Sequence, residues 1–356
     1  MIRVLILGAI MLTCLAAMQP PPARTAPPAA PGVPLALAEA RARRISNLLY
    51  ELHFSIPAEA AARIRGRARL RFMLTDAARP LVLDFVPPGP WRGQVNGRDV
   101  EFTAAPDHLV IEPRDLREGV NEIAIDFEAG DGSLNRNPEF MYTLFVPARA
   151  RLAFPCFDQP DLKARYRLTL EIPAGWEALS NGGESGRQTA GDRQTLTFAE
   201  TQPLPSYLFA FAAGRFQIET ADRGGRRFRM FHRETDAAKV ARNREAIFDL
   251  HAAALDWLER YTGIPYPFGK FDFLLVPSFQ FGGMEHAGAI FYNAAGLLLD
   301  QSATQNQLLA RASVIAHETS HMWFGDLVTM QWFNDVWMKE VFANFMAAKI
   351  VNPSFP

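Results

Sequence analysis

Apolar positions in the first part of the chain recur mostly every second residue. Between about residues 36 and 220 the runs 49–56, 68–74, 80–85, 109–111, 122–127, 166–172, 194–198 and 207–211 predict strands, with Pro and Gly clusters between them. Asn96-Gly97 stands between two further short apolar runs and predicts a tight hairpin turn. Near Gly225 the period changes. Residues 228–232 predict one more strand. Then Val240, Ile247, Phe248, Leu250, Ala254, Leu255 and Leu258 predict a helix over about 236–261. Pro265 and Pro267 break it, and 271–276 and 289–292 predict two more strands.

Two helical patterns close the chain. Leu308, Leu309, Ala312, Ile315 and Ala316 form the stripe of the first, and Gly325 is placed to end it as a left-handed residue after Phe324. The second starts with Asn334 or Asp335 as N-cap, and Met338, Val341, Phe342 and Phe345 repeat at helical spacing. This order predicts a multidomain α+β protein: an antiparallel β-sandwich over 36–220, then a mixed domain over 221–356.

The N-terminus carries neither pattern. Arg3 precedes an apolar run from Val4 to Leu15, too short to span a bilayer comfortably, so residues 1–19 are expected to be a signal peptide of an exported protein. Residues 20–35 hold seven prolines and are expected to be a disordered linker. Cys14 is the one candidate for a lipid anchor, although Met11-Leu12-Thr13 before it match a lipoprotein signal poorly. Cys156 is then a lone cysteine, read as a small buried apolar residue. A net charge of −1 with no basic stripe gives no footing to nucleic acid or an anionic membrane surface.

The candidate chemistry lies in the first of the two closing helices. His317 and His321 are four residues apart, which puts both on one face, one turn apart. Two imidazoles so placed can share a zinc ion, and Glu318 between them can meet an activated water. Glu340 follows His321 by nineteen positions, room for a turn and a second helix to return a carboxylate as third ligand. Two His and one Glu leave a fourth position open, the arrangement of a catalytic site. The plainer alternatives are two satisfied histidines and a solvated helix Glu. A second stretch, Gly282-Gly283-Met284-Glu285, allows close approach of a peptide backbone beside a carboxylate that can accept from a substrate ammonium. Alone it reads equally as a turn. His53 and His108 have no partner at ligand spacing.

With these residues in place, the chain from about residue 36 onward resembles the zinc aminopeptidase family of aminopeptidase N and leukotriene A4 hydrolase. Gly282-Gly283-Met284-Glu285-His286 is similar to the family's G-x-M-E-N, and His317, Glu318, His321 and Glu340 match its zinc motif. Trp323-Phe324-Gly325-Asp326-Leu327-Val328-Thr329 and Phe154-Pro155-Cys156-Phe157-Asp158-Gln159-Pro160 resemble two further family segments, the second followed by Lys163-Ala164. The resemblance implies a β-saddle domain followed by a thermolysin-like catalytic domain. It implies one Zn²⁺ held by His317, His321 and Glu340, and Glu318 as general base. Glu285 would anchor the free N-terminal amine of peptide substrates, with Gly282, Gly283 and Met284 along the substrate backbone. His286, Val341 and Gln159 depart from the usual Asn, Gly and Glu, and no Glu or Gln stands among Tyr142 to Pro147. The family's later catalytic Tyr has no counterpart in the sixteen residues after Glu340, so a truncated enzyme with reduced or no activity is expected. A non-catalytic binding module with a vestigial zinc site and an epoxide hydrolase remain alternatives.

Overall fold

The structure is a computed structural model that describes residues 31–89 and 91–352. The expected signal peptide, Cys14 and residues 20–30 of the expected linker lie outside the described residues. Near the start of the described chain stands helix α1 (Leu35–Ala42), which no apolar period announced. Its four Ala and two Leu favour a helix. Its Arg41 is buried on Asp84, with hydrogen bonds of 2.5 and 2.8 Å. Asp84 also accepts from the Asp158 amide and lies 2.8 Å from His108 Nδ1, so the buried carboxylate is fully partnered. Burial would raise its pKa, but Arg41 and His108 outweigh that and hold it below the usual value.

An eight-stranded sheet dominates the first part, with strand order 184–190, 193–198, 165–173, 45–55, 65–74, 119–128, 92–95, 98–99. Neighbours run antiparallel except Ile45–Ser55 and Arg165–Pro173, which are parallel, Leu49 opposite Arg165. The hairpin turn has φ of 53° at Asn96 and 77° at Gly97, the positive pair that such turns demand. A four-stranded and a three-stranded sheet complete this part. Residues 207–211, predicted as a strand, instead form a 3₁₀ turn (Ser206–Leu208) leading to the strand Phe211–Gly214. Tyr207, Leu208 and Phe209 are all buried, so no alternation distinguishes a face there.

The second part is a five-stranded sheet ordered 217–223, 226–232, 271–276, 289–293, 283–284. Its first strand, Gln217–Arg223, straddles the boundary expected at 220. All six residues of Phe271–Val276 are buried, as a central strand covered on both faces requires. Phe271, Phe273 and Leu275 pack towards the helices, while Leu274 and Val276 pack with Tyr142, Leu144 and Tyr207 of the first part. Helix α2 (Ala237–Thr262) is capped by Asp236 and stopped by Gly263 at φ 69°. A single turn, α3 (Ala294–Leu297), leads to α4 (Gln305–His321), whose start carries a reciprocal Thr304–Gln307 cap. Helix α5 (Val336–Val351) follows. Its face differs from the predicted one. Met338, Val341, Phe342 and Phe345 point outward, and Ala343, Met346 and Ala347 are buried. The helix is apolar nearly all round, so spacing alone did not identify the packed side.

His251 on α2 stacks on Phe273 at 4.3 Å, lies 2.8 Å from the Ile247 carbonyl and 3.0 Å from the Tyr292 hydroxyl. Burial pushes its pKa down from 6.5 to about 4. A histidine buried neutral binds its proton more readily once unfolded. Stability should therefore fall as pH drops from about 6.5 to about 4, by up to about 3 kcal/mol. Urea midpoints measured across that range should show a shallower acid-side loss for His251→Phe than for the parent.

Candidate active site

Helix α4 ends at the site it carries. His321 is its last residue, and the chain turns at once through Met322 to Gly325 instead of continuing to Phe324 as expected. The turn orients the ring: His321 Nδ1 lies 3.0 Å from the Phe324 carbonyl. Gly325 sits at φ 144°, and a Cβ there would stand 3.2 Å from His321 Nδ1. One turn earlier, His317 Nδ1 lies 3.1 Å from Asn344 Oδ1 on α5. Both contacts have oxygen acceptors, so both Nδ1 atoms donate and both Nε2 atoms are turned to each other as the candidate metal donors.

Those two Nε2 atoms are 3.0 Å apart, and Glu340 Oε2 lies 3.3 Å from one and 3.5 Å from the other. Two lone pairs and a carboxylate oxygen repel at such distances unless a proton or a metal cation joins them. Ligands around a tetrahedral zinc, at about 2.0–2.2 Å from it, stand roughly 3.3–3.5 Å from one another. The triad therefore fits the ion. Burial would raise the Glu340 pKa, but its contacts with His317 and His321 drive it far down. Burial would lower the His321 pKa, but with no metal between the ligands the charge of Glu285 and the contact with Glu340 push it up to about 9, so a metal binding at Nε2 displaces a proton.

Glu318 lies between the two histidines, buried, and its Oε2 has no hydrogen-bond partner among the described residues. Burial, more than any neighbour, pushes its pKa up to about 8. The short edge strand Gly283–Met284 passes directly over it, paired to Ala289–Asn293 on its other side. A Cβ on Gly283 would fall 2.4 Å from the Glu318 carboxyl, so only glycine permits this approach. Gly282 has more room, its nearest neighbour being Val314 at 3.5 Å. Met284 is buried beneath the strand. Glu285 follows, and ligand atoms of Glu285, Glu318 and His321 lie within 4.8 Å of one another. All eight residues singled out in the sequence line or underlie one cleft of roughly 650 Å³. A hollow of similar size on the eight-stranded sheet, near His53 and Trp91, holds no comparable set of ligands among the described residues.

Three further side chains at the site were given no role from the sequence, although Asp326 lies in one of the family-like segments. Lys339 is buried and its ammonium meets Glu285, with Glu340 Oε1 at 2.9 Å. Burial would raise the Glu285 pKa, but the charge of Lys339 overrides it and holds the pKa near 2. Asn344 orients His317, and its position one turn after Glu340 was the only hint available. Asp326 is buried with neither carboxyl oxygen partnered among the described residues, and burial raises its pKa strongly. Lys163 reaches from the first part of the chain to the Asp326 and Leu327 carbonyls, at 2.8 and 3.0 Å. That contact explains why a lysine far from the zinc motif shares a pattern with it. Gln159 likewise serves the fold, donating to the Ala38 carbonyl at 2.9 Å. His286 is buried against Phe291, and burial lowers its pKa to about 3.

Residues 247–356 match the Peptidase family M1 domain, and residues 130–208 match the Peptidase M1 N-terminal domain. The chain belongs to peptidase family M1. Family M1 relatives include the puromycin-sensitive aminopeptidase of Caenorhabditis elegans, 39% identical over 60% of this chain and 23% of that protein. Leucyl aminopeptidase of Saccharolobus solfataricus is 30% identical over 78% of this chain and 35% of its own length. Aminopeptidase M1 of Arabidopsis thaliana is 32% identical over 81% of this chain and 34% of its own. The chain thus spans about a quarter to a third of these curated M1 relatives. Peptidases of family M1 are zinc enzymes, in accord with the donor set at the end of α4.

Asn344→Ala should weaken zinc binding by about 10- to 100-fold, because the His317 ring loses the acceptor that fixes its tautomer and angle. Competition against a fluorescent chelator measures it. Unchanged affinity would remove Asn344 from this role.

Proposed function

We propose that the cleft is the active site of a zinc-dependent aminopeptidase, hydrolysing the N-terminal peptide bond of peptides. The observation that carries this reading is the convergence of His317 Nε2, His321 Nε2 and Glu340 Oε2 at 3.0–3.5 Å, with both Nδ1 atoms engaged elsewhere. These three residues would hold the metal. Zinc, when bound, lowers the pKa of water towards ~7 and polarises a carbonyl oxygen.

The chain's own residues do the rest. Glu318 takes the proton of the attacking water at its unpartnered Oε2 as the C–O bond forms, and then returns it to the departing nitrogen as the C–N bond breaks. Gly282 and Gly283 let the substrate backbone lie close to the edge strand. Glu285 holds the nitrogen at the substrate's N-terminus. Its carboxylate lies within 4.8 Å of the Glu318 and His321 ligand atoms, so the bond within reach of Glu318 is the first one. The relatives named above are called aminopeptidases, which supports the same reading.

Glu318→Gln should slow hydrolysis of an aminoacyl chromogenic amide by about 10²–10⁴-fold while zinc content stays at the parent level. Turnover at the parent rate would rule out this mechanism. Gly283→Ala should cost at least about tenfold, since the new methyl displaces the Glu318 carboxyl. Equal rates for this variant and the parent would show that the close contact is not needed.

A further inference from the structure

The turn that orients His321 is a closed unit. Phe324 supplies the carbonyl that meets His321 Nδ1 at 3.0 Å. Around it the chain folds back on itself. The Gly325 amide donates to the Val328 carbonyl at 2.9 Å, and the Val328 amide to the Trp323 carbonyl at 3.1 Å. The Leu327 amide returns to the Met322 carbonyl at 3.1 Å, and the Asp326 amide to the His321 carbonyl at 3.0 Å. A loop so closed moves as one piece, so a shift of its tip carries the Phe324 carbonyl with it.

One side chain from the first part of the chain holds that tip. The Lys163 ammonium donates to the Asp326 carbonyl at 2.8 Å and to the Leu327 carbonyl at 3.0 Å. The base of Lys163 is itself fixed. Beside it, Ala164 and Leu204 exchange both amide–carbonyl bonds, at 2.9 and 2.8 Å, and Leu162 on its other side is buried in the β-rich core. A charged donor on a fixed base, meeting two successive carbonyls, defines a position as well as a bond. The other braces of the loop do less. The Thr329 hydroxyl donates to the Gly325 carbonyl at 2.7 Å, but from within the same stretch, so it stiffens the loop without locating it. The Tyr207 hydroxyl stands 3.5 Å from the Gly325 carbonyl, at the long limit of a hydrogen bond.

We propose that Lys163 is a positioning residue for the metal site: by fixing the Asp326 and Leu327 carbonyls it places the Phe324 carbonyl, and through it the angle at which His321 Nε2 faces His317 and Glu340. This rests on the reading of His321 as a zinc ligand and makes the β-rich part of the chain a component of that site.

The test compares Lys163→Met, which keeps most of the stem and loses the donor, with Lys163→Arg, which keeps charge and donors. Competition against a fluorescent chelator reads zinc affinity. The visible absorption of the cobalt(II)-loaded proteins reads ligand geometry, and urea midpoints of the metal-free proteins read folding separately. Lys163→Met should bind zinc about tenfold or more weakly than the parent and shift the cobalt bands. Lys163→Arg should bind at least about threefold more tightly than Lys163→Met. A folded Lys163→Met whose zinc affinity stays within about twofold of the parent's, with unchanged cobalt bands, overturns the proposal even if its urea midpoint falls, because Lys163 is then a strut of the fold alone. If Lys163→Met does not fold, Lys163→Gln, a neutral and shorter donor, takes its place on the same criteria. A parent that binds no zinc removes the zinc reading, and the proposal with it. A parent that binds zinc beside an unaffected Lys163→Met overturns the proposal and leaves the peptidase reading standing.

Discussion

The lone pairs of His317 Nε2 and His321 Nε2 face each other across 3.0 Å, and the surrounding structure is arranged to keep them there. An imidazole left to itself would rotate to relieve that opposition. Here neither ring is free to turn. Asn344 holds one Nδ1 from α5, and the Phe324 carbonyl holds the other from the turn that ends α4. Helix α5 must pack on α4 for Asn344 and Glu340 to arrive together, and the small residues Ala312, Ala316 and Ala347 at that contact allow it.

The first part of the chain is a partner in this arrangement, not a separate neighbour. Its Lys163 fixes two carbonyls of the turn after His321, and its Tyr207 hydroxyl lies 3.5 Å from the Gly325 carbonyl while its ring lies under the Lys339 ammonium. Leu274 and Val276 join a core with Tyr142 and Leu144. Motif-bearing segments hundreds of ångströms apart in an extended chain are therefore one mechanical unit.

How much of this was legible depended on whether a residue's neighbours in space were also its neighbours in sequence. His317, Glu318 and His321 obey a helical repeat, so their shared face could be read directly, and Phe271–Val276 revealed itself as an unbroken apolar run. Glu340 was reachable because a known pattern named its spacing. Lys339 was not, since a lysine beside an apolar helix stripe reads as solvated, and only tertiary packing turns it inward. The same packing reversed the expected face of α5. Helix α1 stayed hidden because its inward residues are only the small Ala38 and Arg41, a charge whose burial depends on Asp84 far along the chain. Tyr207 to Phe209 lost their alternation because all three are enclosed.

The strand Gly283–Met284 has a further consequence. It is two residues long and its sole strand partner among the described residues is Ala289–Asn293, so its other edge offers only a couple of amide and carbonyl groups. A guest aligned there would be gripped by its main chain over a very short stretch. Whatever extends past that grip is judged by other surfaces, and the length of the guest is not measured by this strand at all.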